Sequence, residues 1–166
     1  MITAPRSQKI TPVHLQRKAV VYIRQSTTKQ VRTNTESQRN QRALVERAEM
    51  LGWSKERIVV LDADLGQSGT STAGRDDFTT LTADVALGHV GIIFGWEVSR
   101  LARNNADWYH LLDLASVVGA LIADIEGVYD PRSYNDRLLL GFYVRYHQRP
   151  LSQRRLAHPD LLPPSH

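Results

Sequence analysis

Cysteine is absent from the 166 residues of this sequence. Its absence excludes disulfides, thiolate nucleophiles and zinc or iron–sulfur sites held by cysteine. Long apolar runs are also missing, since none approaches the ~20 residues that a membrane-spanning helix needs. The first residues, MITAPRSQKITPVHLQRK, lack the apolar core of a signal peptide. We therefore expect a cytoplasmic protein with no membrane partner.

Acidic residues are scarce in the first part of the chain. Residues 1–60 contain 12 Lys/Arg and 4 Asp/Glu, residues 61–141 contain 5 and 12, and residues 142–166 contain 4 and 1. The net charge is +4, and 42% of the residues are hydrophobic, enough for the core of one domain. The basic balance favours a polyanionic partner. An ordinary solvated surface is the plainer interpretation of scattered charges.

Short apolar runs alternate with helical patterns along most of the chain. Four such runs predict strands, at residues 18–24, 57–62, 90–96 and 120–125. The patterns between them predict one helix from Asn34 or Thr35 to Gly52, and others over 76–87 and 105–118. Continuous apolar strands separated by helices are typical of parallel sheets. The predicted fold class is α/β, with a mostly parallel sheet of four to five strands and helices on both faces.

The two ends of the chain lack a periodic pattern. Residues 1–17 are polar and contain two prolines, so we predict a flexible N-terminal arm. Residues 18–141 form the predicted folded domain. The segment 135–142 is able to start a helix, but Pro150 and three more prolines follow. We expect residues 142–166 to be an irregular or disordered tail, from a truncated or frameshifted reading of the gene.

Arginines and hydroxyl residues follow three of the predicted strands. YIRQS (22–26) leaves the first, a loop over 63–75 follows the second, and WEVSRLARNNADW (96–108) leaves the third. Since parallel strands end at one edge of a sheet, these segments converge there. The residues brought to this edge are Arg24, Ser26, Arg75, Arg100 and Arg103. Several guanidinium groups near a hydroxyl favour a phosphate site, with the hydroxyl as a candidate nucleophile.

Other site chemistries have less support in the sequence. No histidine lies in the three segments, and GQSGTS (66–71) lacks the G-x-S-x-G spacing of a hydrolase elbow. Neither a P-loop nor a G-x-G-x-x-G motif is present. No cluster of carboxylates and histidines has metal-ligand spacing, so we predict phosphoryl chemistry without a metal or cofactor. A flavodoxin-like domain that binds a small ligand is an alternative, and it predicts a concave apolar pocket instead of an arginine-ringed hydroxyl.

Four sequence elements together resemble serine recombinases, the resolvase/invertase family. They are Y-x-R-x-S at the first strand, a glutamine on the next helix, D-x-x-x-S-G-x-S with a following arginine, and S-R-L-A-R-N after the third strand. The resemblance covers about residues 18–141 and is nearest to large or transposon-associated members. It implies a catalytic domain for DNA recombination, in integration or transposition, acting on a double-stranded recombination site. It also implies a homodimer or homotetramer, formed through a long helix that begins with a segment like DRLLLG (136–141).

The resemblance also implies roles for single residues. Ser26 matches the nucleophile that attacks a DNA phosphodiester, forms a 5′-phosphoserine intermediate and releases a 3′-hydroxyl. The positions matching phosphate-binding arginines are Arg24, Arg75, Arg100 and Arg103. Gln41 matches the active-site glutamine, and Gln38 is the competing assignment. Supporting positions at the DNA phosphate are Asp64, Ser68, Gln38 and Ser99, the last of which stands where resolvases have aspartate.

The sequence also allows interpretations in which these residues, or the whole chain, have no catalytic role. Arg100 and Arg103 are alternatively surface charges paired with Glu97 or Asp107, which contributes little to stability. The whole chain is alternatively a catalytically silent, truncated remnant that acts only as a DNA-phosphate-binding or dimerisation module. A covalent protein–DNA adduct that disappears in Ser26→Ala separates the enzyme from the remnant.

Overall fold

A five-stranded sheet forms the centre of the computed structural model. The structure describes residues 7–23, 30–62, 72–96, 98, 101–102 and 105–147. The strands are β1 (Lys18–Ile23), β2 (Ile58–Asp62), β3 (Val90–Phe94), β4 (Leu121–Ala123) and β5 (Val128–Tyr129). The α-helices are α1 (Pro12–Gln16), α2 (Gln30–Leu51), α3 (Thr72–Ala86), α4 (Asn105–Val118) and α5 (Tyr134–His147), and a 3-10 turn spans Lys55–Arg57.

The sheet has the strand order β2-β1-β3-β4-β5. Its first four strands are parallel, and β5 runs antiparallel to β4. In the register, Val21 of β1 lies between Val60 of β2 and Phe94 of β3. This topology confirms the predicted α/β class with a mostly parallel sheet.

Alternate residues of the strands enter two separate cores. In β1, Val20 and Tyr22 belong to the core that contains residues of α3, α4 and α5. The intervening Ala19, Val21 and Ile23 belong to the core that contains residues of α2. Successive side chains of a strand point to opposite faces, so a continuous apolar run is buried on both sides. Helices therefore cover both faces of the sheet, as predicted.

Two helices begin earlier than their periodicity indicated. α2 begins at Gln30, and α3 begins at Thr72. Among the described side chains, the buried residues of α2 start at Leu44 and those of α3 start at Leu81. Apolar periodicity marks the part of a helix that packs on a core, so a polar first half gives no such pattern. The predicted start of the first helix at Asn34 or Thr35 is therefore four or five residues too late.

Residues 7–17, which we call the N-terminal strap, are folded against the sheet. Helix α1 contacts β1 and β3. His14 is only 4% exposed, and its Nε2 lies 2.7 Å from the carbonyl oxygen of Gly119. The Arg17 guanidinium donates to the carbonyl of Val118 at 2.8 Å. The predicted flexible arm is wrong over this stretch, because partners more than 100 positions away leave no local pattern.

Helix α5 continues past the predicted start of the irregular tail. It ends at His147, so residues 142–147 are helical. The sequence FYVRYH contains neither glycine nor proline, and a proline at 150 does not prevent a helix from ending three residues before it. The prediction of a tail beginning at 142 is therefore wrong for these six residues. Residues 148–166 lie outside the described part of the chain.

Candidate active site

The carboxyl ends of three parallel strands lie side by side. Ile23 of β1 pairs with Asp62 of β2, and Phe94 of β3 pairs with Val21, two residues before the end of β1. The segments that leave these strands are the three in which the sequence placed arginines and a candidate nucleophile. All three segments therefore begin at the same edge of the sheet. Ligands bind at this edge in open parallel sheets.

Most of the predicted site residues lie outside the described residues. These are Arg24, Ser26, Asp64, Ser68, Ser99, Arg100 and Arg103. Arg75 lies in the first turn of α3, and its side chain is also outside the described part. The roles that the sequence assigned to these residues remain predictions. Gln38 and Gln41 lie in α2 and are described.

The two candidate glutamines differ in exposure. Gln38 is exposed, whereas Gln41 is half-buried. Gln41 lies three positions before the fully buried Leu44 and seven before the fully buried Ala48. Residues at these intervals share one side of a helix, so Gln41 lies nearer to the sheet than Gln38. This placement favours Gln41 as the glutamine of the predicted site.

The segment after β3 is held in the core by its apolar residues. Val98, Leu101 and Ala102 are buried, and the Leu101 N–H donates to the Val98 carbonyl at 3.2 Å. All three belong to the same buried cluster as Trp108, in the first turn of α4. Leu101 and Ala102 are the two residues between Arg100 and Arg103 in the sequence. The burial of Leu101 and Ala102 therefore fixes the chain between the two predicted phosphate-binding arginines.

An aromatic pair joins the end of β1 to α3. Tyr22 is 2% exposed, and its ring centroid lies 6.3 Å from that of Phe78 at an interplanar angle of 71°. This edge-to-face arrangement is favourable for aromatic rings. Tyr22 lies two positions before Arg24, and Phe78 lies three positions after Arg75. The end of the strand that precedes Arg24 and the helix that contains Arg75 are thus in direct contact.

The sequence did not predict a structural role for Arg47. Its Nε donates to the carbonyl of Asp124, just beyond β4, at 2.8 Å. The Asp124 carboxylate in turn accepts the N–H groups of Glu126 and Gly127 at 2.9 and 2.8 Å. These bonds fix α2 and the β4–β5 turn at the same edge of the sheet. A main-chain acceptor 77 positions away leaves no signature in the sequence.

Shifted pKa values occur at the opposite, amino-terminal edge. Burial lowers the pKa of His14. Burial raises the pKa of Asp130, but hydrogen bonds from Arg132 outweigh it and the net shift is downward. The Arg132 guanidinium donates hydrogen bonds to the Asp130 carboxylate, and these bonds raise the pKa of Arg132. These groups belong to the surroundings of the N-terminal strap and not to the predicted site. Within the described ranges, no three metal-ligating side chains lie together.

Helix α5 lies antiparallel to α4. The Arg137 guanidinium of α5 pairs with Asp113 of α4, and Gly141 lies beside Tyr109, one turn nearer to the start of α4. Since α4 begins at the carboxyl edge, α5 runs toward that edge. Leu138 and Phe142 remain exposed and line a groove along α5 with Tyr109. The groove lies between helices rather than beyond the strand ends.

The parallel sheet with one antiparallel edge strand and helices on both faces defines an open-sheet α/β domain. The profile of the family described as "Resolvase, N terminal domain" matches residues 19–155. The chain belongs to this family and is a serine recombinase catalytic domain. The resemblance drawn from the four sequence elements is therefore confirmed. The match begins inside β1, so the N-terminal strap lies before it.

One protein and two solved structures are similar to this chain. The "Uncharacterized protein y4bA/y4pH" of Sinorhizobium fredii is 55% identical over 133 residues, which cover 80% of this chain. The chain spans only 19% of that relative's length. The crystal structure of a resolvase family site-specific recombinase from Streptococcus pneumoniae superposes with a TM-score of 0.56 at 20% identity, over 87% of this chain and 94% of the other. The N-terminal catalytic domain of TP901-1 Integrase gives 0.54 at 20% identity, over 84% and 98%.

The two structural similarities, at this level of identity, support the shared fold. Of the helices that the structure describes, none combines the length and hydropathy that crossing a bilayer requires.

Proposed function

We propose that this site-specific recombinase domain cuts and rejoins double-stranded DNA through a serine–phosphate ester on Ser26. The observation that carries the proposal is the meeting of the ends of β1, β2 and β3 at one edge, in a chain of the resolvase family. The segments leaving these ends supply a hydroxyl and four arginines. Recombination of this kind serves DNA integration or transposition.

The proposed reaction is a transesterification. The Ser26 hydroxyl gives up its proton, and its oxygen attacks a backbone phosphorus. The bond from phosphorus to the 3′-oxygen breaks, and that oxygen takes a proton to become a 3′-hydroxyl. The 5′ end remains as a phosphoserine. One ester replaces another, so a 3′-hydroxyl from an exchanged strand reverses the reaction and rejoins the DNA without ATP.

The four arginines stabilise the charge that develops on the phosphoryl oxygens. Arginine stays charged at any working pH and binds phosphate through two parallel hydrogen bonds. Removing one preorganised donor of this type costs about 10²–10³ in rate. We therefore expect Arg100→Ala and Arg103→Ala each to reduce adduct formation by about that factor without unfolding the domain. A collapse of the thermal unfolding transition would instead indicate a structural role. Arg39→Ala, in the exposed part of α2, is the matched control.

The proposed enzyme acts as a homodimer or homotetramer. Helix α5 presents exposed Leu138, Leu139 and Phe142, which a second copy of the chain would cover. Leu138→Glu is expected to shift the sedimentation distribution toward the monomer. A distribution that this variant leaves unchanged would contradict α5 as the interface.

A covalent adduct tests the proposed chemistry. The chain is incubated with nicked duplexes of randomised sequence, whose short leaving fragment dissociates after cleavage. We expect a protein–DNA band that resists SDS and is lost in Ser26→Ala, while Ser116→Ala, a serine on α4, retains it. A folded wild-type chain that binds DNA and forms no adduct would contradict the enzyme and support a silent DNA-phosphate-binding or dimerisation module.

A further inference from the structure

We propose that four apolar side chains act together as positioning residues for the arginines of the proposed site. They form what we call the apolar floor: Tyr22, Phe78, Leu101 and Trp108. The inference rests on the proposed function and adds residues to which neither the motifs nor the family match assigned a role. None of the four is expected to touch DNA.

The floor joins the elements that bear the arginines. Tyr22 is at the end of β1, Phe78 is in α3, Leu101 follows β3 and Trp108 is in α4. All four belong to one hydrophobic cluster, with Phe78 packed on its partly buried margin. Three of them are close neighbours of arginines in the sequence: Tyr22 precedes Arg24 by two positions, Phe78 follows Arg75 by three, and Leu101 lies between Arg100 and Arg103.

Close packing gives the floor its positioning effect. Tyr22, Leu101 and Trp108 are at most 2% exposed, and the Tyr22 ring meets Phe78 at 6.3 Å. Protein interiors are packed as densely as organic crystals, so a gap at one of these side chains shifts its neighbours. A shift of about 1 Å in a reacting geometry costs on the order of 10² in rate. We therefore expect a gap in the floor to disturb the elements from which the arginine-bearing segments continue.

Trp108 contributes to the cluster mainly through apolar packing. Its indole N–H is buried and has no hydrogen-bond partner within the described part of the chain. A buried donor without a partner lowers stability, and a phenylalanine would remove that penalty. Among the described residues, the contribution of the indole is therefore its packing in the cluster.

The test compares two leucines of the same cluster. Leu101 is 1% and Leu111 0% exposed, but Leu111 is eight positions beyond Arg103 in the middle of α4. We expect Leu101→Ala and Leu111→Ala to lower the thermal midpoint by similar amounts. At a temperature where both are folded, only Leu101→Ala should slow adduct formation, by about 10- to 100-fold. Leu101→Met, which nearly conserves volume, should restore most of the rate.

A second measurement keeps the two hypotheses apart. The slope of log K for duplex DNA against log salt becomes shallower by about 0.9 for each phosphate that the protein no longer neutralises. We expect Leu101→Ala, but not Leu111→Ala, to make this slope shallower as Arg100→Ala does. A wild-type chain that binds DNA without forming an adduct contradicts the proposed function alone. Equal adduct rates and equal slopes for the two leucine variants overturn the positioning role of the floor.

Discussion

His14 is a buried histidine whose two ring nitrogens both have partners. Nδ1 accepts the N–H of Thr11 at 3.0 Å, so Nε2 carries the proton and donates to the Gly119 carbonyl at 2.7 Å. Burial lowers the pKa of His14 below its ordinary value of 6.5. The Gly119 carbonyl and Asp130 act in the opposite direction, while the positive charges of Arg132 and Arg17 add to the lowering. The folded protein therefore prefers neutral His14.

This preference predicts a pH-dependent stability. A depressed folded-state pKa means that the unfolded chain binds the proton more readily, so unfolding is favoured as pH falls. The stabilisation is present above pH 6.5, the ordinary value, and is lost as pH falls through the lowered folded-state pKa. We expect urea unfolding midpoints to decrease from pH 7.5 to 5, and His14→Gln to reduce that decrease. His110→Gln, at an exposed position of α4, should behave like the wild type, and an unaltered decrease in His14→Gln would refute the assignment.

At the scale of elements, the sequence predicted best what packs on the core. The helix predicted over 105–118 has those bounds in the structure, because its stripe of Trp108, Leu111, Leu112 and Ala115 is buried along its length. α2 was predicted only in part, since its first half has no buried residue among those described. The N-terminal strap was missed because its hydrogen bonds reach α4 through main-chain carbonyls. Periodicity reports burial, and it does not report long-range polar contacts.

The candidate site shows the same division. The sequence predicted that the strands preceding its segments end at one edge, and the parallel register of β1 with β2 and β3 shows such strand ends. The sequence could not predict the hydrogen bond from Arg47 to the Asp124 carbonyl or the burial of Leu101. Both depend on contacts between elements that are far apart in the chain. A sequence motif identifies the residues that take part in the chemistry, whereas the residues that hold them in place are determined by the fold.

Two glycines of different elements offer a matched pair of substitutions. A methyl group at Gly91 of β3 would lie 2.3 Å from the His14 carbonyl oxygen, whereas one at Gly141 of α5 would lie 3.5 Å from the Tyr109 hydroxyl. We expect Gly91→Ala to lower the unfolding free energy by about 1–3 kcal/mol, because the backbone of α1 must move. Gly141→Ala should raise it by up to ~1 kcal/mol through helix propensity. Denaturant unfolding curves measure the free energy of unfolding of both variants. An unchanged value for Gly91→Ala would show that α1 is not held against β3.

At the scale of the whole molecule, the N-terminal strap connects regions that are far apart in the chain. Lys9 lies 2.8 Å from the Asp136 carboxylate in the first turn of α5 and donates to the Val128 carbonyl of β5 at 2.8 Å. The same carboxylate accepts the N–H of Asp130 at 2.9 Å. His14 and Arg17 bind the end of α4. The strap therefore connects the start of α5 to the end of α4, at the amino-terminal edge of the sheet.

Removing the Lys9 ammonium should loosen the start of α5. In Lys9→Met the buried Asp136 keeps the Asp130 N–H but loses its cation, and we expect a loss of about 1 kcal/mol in unfolding free energy. Hydrogen exchange should accelerate in the first turn of α5 and remain unchanged in α2. Lys18→Met is the matched control, because the ion pair of Lys18 with Asp84 is longer, at 3.3 Å, and joins β1 to α3. If the first turn of α5 exchanges equally in Lys9→Met, Lys18→Met and wild type, the strap has no part in holding the start of α5.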